Sequence, residues 1–462
     1  MDRRDFMKTC AAFGLTLGLR PQNLFAQCDD NTNLFFINFI ADGGWYPPHL
    51  MDPKLNDPSI MVTADRDGST IDTLHDTYPE YSRQDAGDSW ADADTLGRHG
   101  IAGNIRFNNL QYPYAGDSGT HLAWGDFFEA HGSDIVVVNG INVATGNHIT
   151  GRKNTWGGHK NRNNPSLAAL HAANQTDNLA IPYISYGGYA ETASEVPLAR
   201  ISTSGQNTIL NNLTNSPNSY LSDSVEDLIR AKSAARLGQA QEQERLLKAQ
   251  RKIASLQNAQ MSAAQLNCLK EAYENNTIYD TDSEPYITTT SRDLKRMARF
   301  VLSSFESGVA VSANIYRGGF DDHSWFNRDQ SKVMAELLDG LDYLLREAKA
   351  RNLLDRTVIL VSSEFGRPPH MNDNGVDGGG QENEEGRDHW SHTSAMVMGG
   401  GIPGNAVVGE TDATFTSVPH ESGETITMAA LHYALRNRLG ISDALKEKYP
   451  LLETDIDFFG DS

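Results

Sequence analysis

Three short segments late in the chain carry side chains able to hold a cation: Phe320-Asp321-Asp322-His323, Ser363-Glu364-Phe365-Gly366-Arg367 and Gly386-Arg387-Asp388-His389-Trp390. A fourth acid stands far upstream in Ala41-Asp42-Gly43-Gly44-Trp45, on a Gly-rich turn. Asp42, Asp321, His323, Glu364 and His389 mix carboxylate oxygens with imidazole nitrogens. Such a donor set suits Zn²⁺, Mn²⁺ or a similar divalent ion, with Ca²⁺ or Mg²⁺ favoured where carboxylates dominate. The Asp-x-His spacing lets one loop offer two donors to one ion. Each residue alone has a plainer explanation, because acids at strand ends cap the following helix and loop imidazoles stay in water. What favours ligation is the recurrence of these donor types after several strands.

Hydrolysis at such a centre also needs an attacking group and an anion clamp. The stretch Gly140-Ile141-Asn142-Val143-Ala144-Thr145-Gly146-Asn147-His148-Ile149-Thr150-Gly151-Arg152-Lys153 offers both. The hydroxyls of Thr145 and Thr150 are two candidate nucleophiles, and the spacing does not choose between them. His148, Arg152 and Lys153 are suited to an anionic oxygen. The plainer reading is a polar turn whose threonines cap a helix. Arg367 and Arg387 either clamp a substrate anion or neutralise surplus carboxylates. Trp45, Trp156, Trp325 and Trp390 lie near these segments, where they either stack on a flat ring such as a sugar or pack beneath loops.

These side chains must be positioned by strands. Leu34-Phe35-Phe36-Ile37-Asn38-Phe39-Ile40 and Thr357-Val358-Ile359-Leu360-Val361 are apolar runs that predict buried strands ending at Asp42 and Glu364. Asp134–Asn139 and Ile181–Tyr186 predict two more. After Thr290, helix 291–306, strand Val309–Ile315, helix 330–350, strand 357–363, strand Ala395–Met398 and helix 423–438 alternate. That alternation predicts an α/β fold, a mostly parallel central sheet with helices on both faces. Ligands then gather at the carboxyl ends of the strands, where all four acid or His segments are expected. Residues 42–120 lack periodicity and read as long surface loops. Residues 222–274 turn rich in Ala, Gln, Leu, Lys and Glu. Leu246, Ala249, Ile253 and Leu256 there form a helical seam, in one long helix or a helical hairpin, packed on the chain's own domain or used for a dimer.

The chain has 462 residues with 39% hydrophobic content and a net charge of −21, which speaks against nucleic acid and anionic membranes as partners. Arg3-Arg4-Asp5-Phe6-Met7-Lys8, a short apolar stretch and Leu24-Phe25-Ala26 form a twin-arginine signal over residues 1–26. Its removal takes four basic and two acidic residues and deepens the charge to −23. The expected product is periplasmic or otherwise exported: a single domain over 27–462 with the helical insertion at 222–274. Cys10 leaves with the signal, and the other two cysteines are Cys28 and Cys268.

At Asp42-Gly43-Gly44-Trp45, the three late segments, Gly399-Gly400-Gly401-Ile402 and Val408-Gly409-Glu410-Thr411-Asp412, the chain resembles domain-of-unknown-function family 1501. That family is placed within the alkaline phosphatase and sulfatase superfamily. The resemblance covers most of the exported chain and implies an alkaline-phosphatase-like fold with a one- or two-metal site for phosphate or sulfate ester hydrolysis. It implies Asp42 as first-strand ligand, Asp321 and His323 as the loop pair, His389 as the late His, and Glu364 where relatives carry Asp. Two departures stand out. Phe365 occupies the place of a ligating His, and Asn147-His148 replaces the Ser-His of many relatives. Two functions follow as expectations. One is an exported metal-dependent hydrolase of an anionic ester, free or sugar-linked. The other is a catalytically degenerate protein that keeps the fold and binds an envelope partner.

Overall fold

All seven residues of the first strand are buried, which requires cover on both faces and an interior position in a sheet. The computed structural model describes residues 34–53, 99–108 and most of 124–460. Outside it lie 1–33, 54–98, 109–123, 215–222, 254–262, 370–385 and several stretches of one to three residues. The expected signal, Cys28 and Trp325 therefore lie outside the described residues, as do most of the expected 42–120 loops.

The strands in chain order are β1 (Phe35–Ala41), β2 (His99–Ala102), β3 (Ile105–Asn108), β4 (Ile135–Asn142), β5 (Tyr183–Ser185), β6 (Leu198–Arg200), β7 (Ser312–Arg317), β8 (Thr357–Ser362), β9 (His392–Gly399) and β10 (Ala406–Val408). Eight of them form one sheet in the order β10-β4-β9-β8-β1-β7-β5-β6. β1 pairs parallel with β7 and β8, with Asn38 opposite both Asn314 and Leu360. β9 is the exception, antiparallel to both β4 and β8. The sheet is mostly parallel, as the alternation of elements predicts. β2 and β3 form a separate antiparallel hairpin, and Asp42 to Asp52 is buried, so neither piece is the open surface loop expected there.

The helices are α1 (Trp124–His131), α2 (His148–Gly157), α3 (Leu167–Asn174), α4 (Thr203–Thr214), α5 (Asp223–Gln243), α6 (Ala263–Asn275), α7 (Thr289–Glu306), α8 (Phe326–Ala350), α9 (Met428–Arg438) and α10 (Asp443–Lys448). α3 packs on β1, β5 and β7, with α9 behind it, while α7 also packs on β7 and α8 packs on α7 and α1. α7 begins with a capping box at Thr288 and Ser291, which satisfies amide groups a helix start leaves unpaired. Leu294, Ala298, Val301 and Phe305 line its buried face at spacings of three and four.

The 222–274 segment departs from a continuous helix. α5 ends at Gln243, and Leu246, the first residue of the expected seam, is 70% exposed. The chain leaves α5 before Leu246, which is therefore exposed, whereas Ala249 and Ile253 of the seam are half-buried. α6 does pack on the body, against α7 and α4. Cys268 on α6 is disulfide-bonded, and its partner lies outside the described residues.

Candidate metal centre

β1, β7 and β8 run parallel, so their carboxyl ends open on one edge of the sheet and deliver Asp42, Asp321 with His323, and Glu364 there. His389 arrives differently. Its segment precedes β9 rather than following a strand, and the antiparallel direction of β9 brings that start to the same edge. The fifth contribution comes from the loop after β4, where α2 starts at His148 with Asn147 as N-cap, its side chain accepting from the Thr150 amide.

Three imidazoles converge on Asp321. His148 Nδ1 bonds Glu364 Oε1 at 2.8 Å, and His148 Nε2 lies 3.3 Å from Asp321 Oδ2. His389 Nδ1 donates to the Gly146 carbonyl at 2.5 Å, leaving Nε2 3.4 Å from Asp321 Oδ1 and 3.2 Å from His323 Nε2. His323 Nε2 stands 3.1 Å from Asp321 Oδ1, while its Nδ1 faces Asp388 at 3.4 Å. In each ring the Nδ1 side is held by an oxygen and Nε2 faces inward. That is how ligating histidines are oriented by their surroundings. Donor atoms of His148, Asp321 and His389 all lie within 4.8 Å of one another, with His323 at the outer edge. Neighbouring ligands around a tetrahedral ion with bonds of about 2.0–2.1 Å are separated by roughly 3.3 Å. The residues present therefore fit a divalent cation.

The supporting shell is largely buried. Arg367 is wholly buried. Its guanidinium donates to the carbonyls of Gly44, Gly43, Phe320 and Arg387 and to Asp321 Oδ1, the last at 2.8 Å. Arg387, also buried, donates to the Pro368 carbonyl and lies over the Tyr46 ring. Neither arginine presents its guanidinium to solvent, so the neutralising role fits Arg367 better than a substrate clamp.

Glu364 has no exposed surface and accepts from the Gly43 amide with both oxygens, at 3.0 and 2.9 Å. It stands behind His148 rather than beside Asp321. Asp42 is held bidentately by Arg152, at 2.6 and 2.7 Å, and by the Tyr316 hydroxyl at 2.9 Å. Of the five residues expected to ligate, Asp321, His323 and His389 come together, while Asp42 and Glu364 hold cations and donors of the protein itself. His148, expected as an anion binder, joins the inner group. Tyr316 carried no signal in the sequence, since a lone Tyr at a strand end is usually packing.

The electrostatics follow from these contacts. The Glu364 hydrogen bond raises the His148 pKa against the opposing effect of burial, whereas burial lowers that of His389. Burial pushes the Asp321 carboxyl up, but the Arg367 hydrogen bond and nearby cations outweigh it and bring it to about 2. Asp322, desolvated beside Asp321, is pushed up to about 7.

The two candidate nucleophiles are half-buried. Thr145 Oγ1 accepts from the Asn147 amide at 3.1 Å, and the Thr150 amide is the one capped by Asn147. Asn147, not a threonine, caps α2. Trp45 and Trp156 are fully buried, and half-buried Trp390 donates its indole N–H to the Phe415 carbonyl. Trp45 and Trp156 therefore pack beneath the loops and offer no sugar platform.

Residues 128–450 match the model of a family described as a protein of unknown function, DUF1501. No curated protein sequence matches the chain. Among solved structures it is similar to Ps i-CgsB in complex with k-i-k-neocarrahexaose, at a TM-score of 0.37 and 9% identity over 92% of this chain and 75% of that one. It is also similar to the PsFucS1 sulfatase from Pseudoalteromonas sp., at 0.32 and 11% over 99% and 76%. A third is the phosphonate monoester hydrolase SpPMH from Silicibacter pomeroyi, at 0.29 and 12% over 72% and 73%.

Proposed function

The chain belongs to the DUF1501 family, and we propose that it is an exported, metal-dependent hydrolase of a phosphate or sulfate ester. The observation that carries this reading is the convergence of His148, His323 and His389 Nε2 on Asp321, each ring anchored through its other nitrogen. A divalent ion held there, Zn²⁺, Mn²⁺ or Ca²⁺, would act as a Lewis acid toward the ester oxygen.

The chain's own groups do the rest. Glu364 fixes the orientation of His148, and Arg367 keeps Asp321 ionised and aimed. The amide end of α2 faces the same place, where its partial positive charge favours an anionic substrate. Thr145 or Thr150, or a water, attacks the phosphorus or sulfur as the bond to the ester oxygen breaks, and the departing alkoxide takes up a proton equivalent to the one the nucleophile gives up. Thr145 is nearer along the chain to Gly146, whose carbonyl holds His389. The substrate is then an anionic ester, free or linked to a sugar.

Export is supported by the Arg3-Arg4 segment and by the disulfide at Cys268, since such bonds persist in oxidising compartments. Among the described residues no helix is long and apolar enough to cross a membrane.

The test is metal analysis of the purified chain together with turnover of chromogenic phosphate and sulfate esters. An empty centre and no turnover with added Zn²⁺, Mn²⁺ or Ca²⁺ would remove the proposal. The second reading, a degenerate protein that binds an envelope partner, is favoured by one observation: the Thr145 hydroxyl is engaged by a backbone amide. It expects metal without turnover, Thr145→Ala and Thr150→Ala without effect, and a stoichiometric partner in envelope extract.

A further inference from the structure

We infer that the centre takes one divalent ion and that the Arg152 guanidinium stands where a second would be needed, supplying its charge. The inference rests on the metal-dependent reading above and deepens it. Arg152 lies four residues after His148, so both project from one face of α2. His148 meets Asp321 and Glu364, while Arg152 meets Asp42 at 2.6 and 2.7 Å and approaches Glu364 Oε1 at 3.8 Å.

Asp42 and Glu364 are 6% and 0% exposed. The guanidinium reaches both of these buried carboxylates, and its planar fork matches Asp42 as a point charge would not.

A second divalent ion would have to expel it, and the donors there are poor. Glu364 is already engaged by the Gly43 amide and His148, and what remains is Asp42 with the Tyr316 hydroxyl. Among the described residues the one imidazole on these two carboxylates is His148, whose Nδ1 is already bonded to Glu364 Oε1. Phe365, wholly buried, closes the flank, its ring 4.8 Å from that of His148 and 4.4 Å from that of His389.

Arg152 is 37% exposed at its side chain, and Nη1 makes no hydrogen bond to the described residues. That edge is placed to hold an anionic substrate oxygen.

Metal content per chain, measured by plasma mass spectrometry after equilibration with Zn²⁺ or Mn²⁺, tests this directly on the unaltered protein. One ion is expected, with Asp42→Asn keeping it. Two ions, or loss of an ion in Asp42→Asn, overturns the inference while the hydrolase reading stands; no ion at all removes both. Calorimetric titration with inorganic phosphate and with sulfate tests the exposed edge. Losing one hydrogen bond to a charged group weakens binding by about tenfold or more. Arg152→Met is therefore expected to bind that much more weakly, with part recovered in Arg152→Lys. Unchanged affinity in both variants refutes the contact.

Discussion

Replacing Arg367 by Met tests whether the site is built around a buried guanidinium. The side chain is wholly buried and bridges three chain segments through the carbonyls of Gly43 and Gly44, Phe320, and Arg387, and through Asp321. Met fills much of the volume but donates nothing, so the carbonyls of Gly43, Gly44 and Arg387 lose this partner, while that of Phe320 keeps the Gln330 amide. An unsatisfied buried polar group costs about 1–3 kcal/mol. Taking the low end, because water can enter near half-exposed Asp321, gives ~3 kcal/mol for the three. That is a large share of the 5–15 kcal/mol typical of a folded domain. With a urea slope of about 3 kcal/mol per molar, the unfolding midpoint falls by roughly 1 M. Equilibrium urea unfolding followed by tryptophan fluorescence reads this, and Arg367→Lys should recover part of the loss. A midpoint within about 0.3 M of the unaltered chain, at unchanged slope, would show that the carbonyls find other partners and that Arg367 is no keystone.

Other expectations follow from the same geometry. His148→Ala and His389→Ala, taken singly, should each lower metal affinity more than about 100-fold, beyond what loss of an indirect partner costs, as read by competition with a fluorescent chelator. Gly43→Ala should destabilise by about 3 kcal/mol. A Cβ there, at φ +130°, would lie 2.3 Å from the Asp321 amide nitrogen, and denaturation at ordinary stability refutes that crowding. His171 and His432 are buried, which lowers each to about 4 from the usual 6.5. The unfolded chain therefore binds protons that the folded chain refuses. Stability is full above pH 6.5 and falls toward pH 4, by ~3 kcal/mol for each residue. A midpoint that stays flat between pH 7 and 4.5 contradicts this. Cys28→Ser should expose a titratable thiol at Cys268, while an unreactive Cys268 in that variant names another partner.

The fold was readable where burial is complete. Phe35–Ala41 and Thr357–Ser362 are unbroken apolar runs because both sheet faces are covered, and composition alone then announces a strand. The antiparallel sense of β9 was not readable, since direction is a property of pairing and not of the residues His392–Gly399. It explains why His389 reaches the site from the beginning of its strand. Within the site, residue type pointed to Asp321, His323 and His389. The division of labour between Asp321 and Asp42 was hidden. It depends on α2 setting His148 and Arg152 on one face and on Tyr316 ending β7 beside Asp42. Glu364 was equally ambiguous, for a carboxylate after a strand can face an ion or the Gly43 amide.

The sheet finishes at both borders in strands of three residues, Leu198–Arg200 and Ala406–Val408. So short a border offers another chain little backbone to zip onto. Growth of this sheet across molecules through its two borders is thereby discouraged.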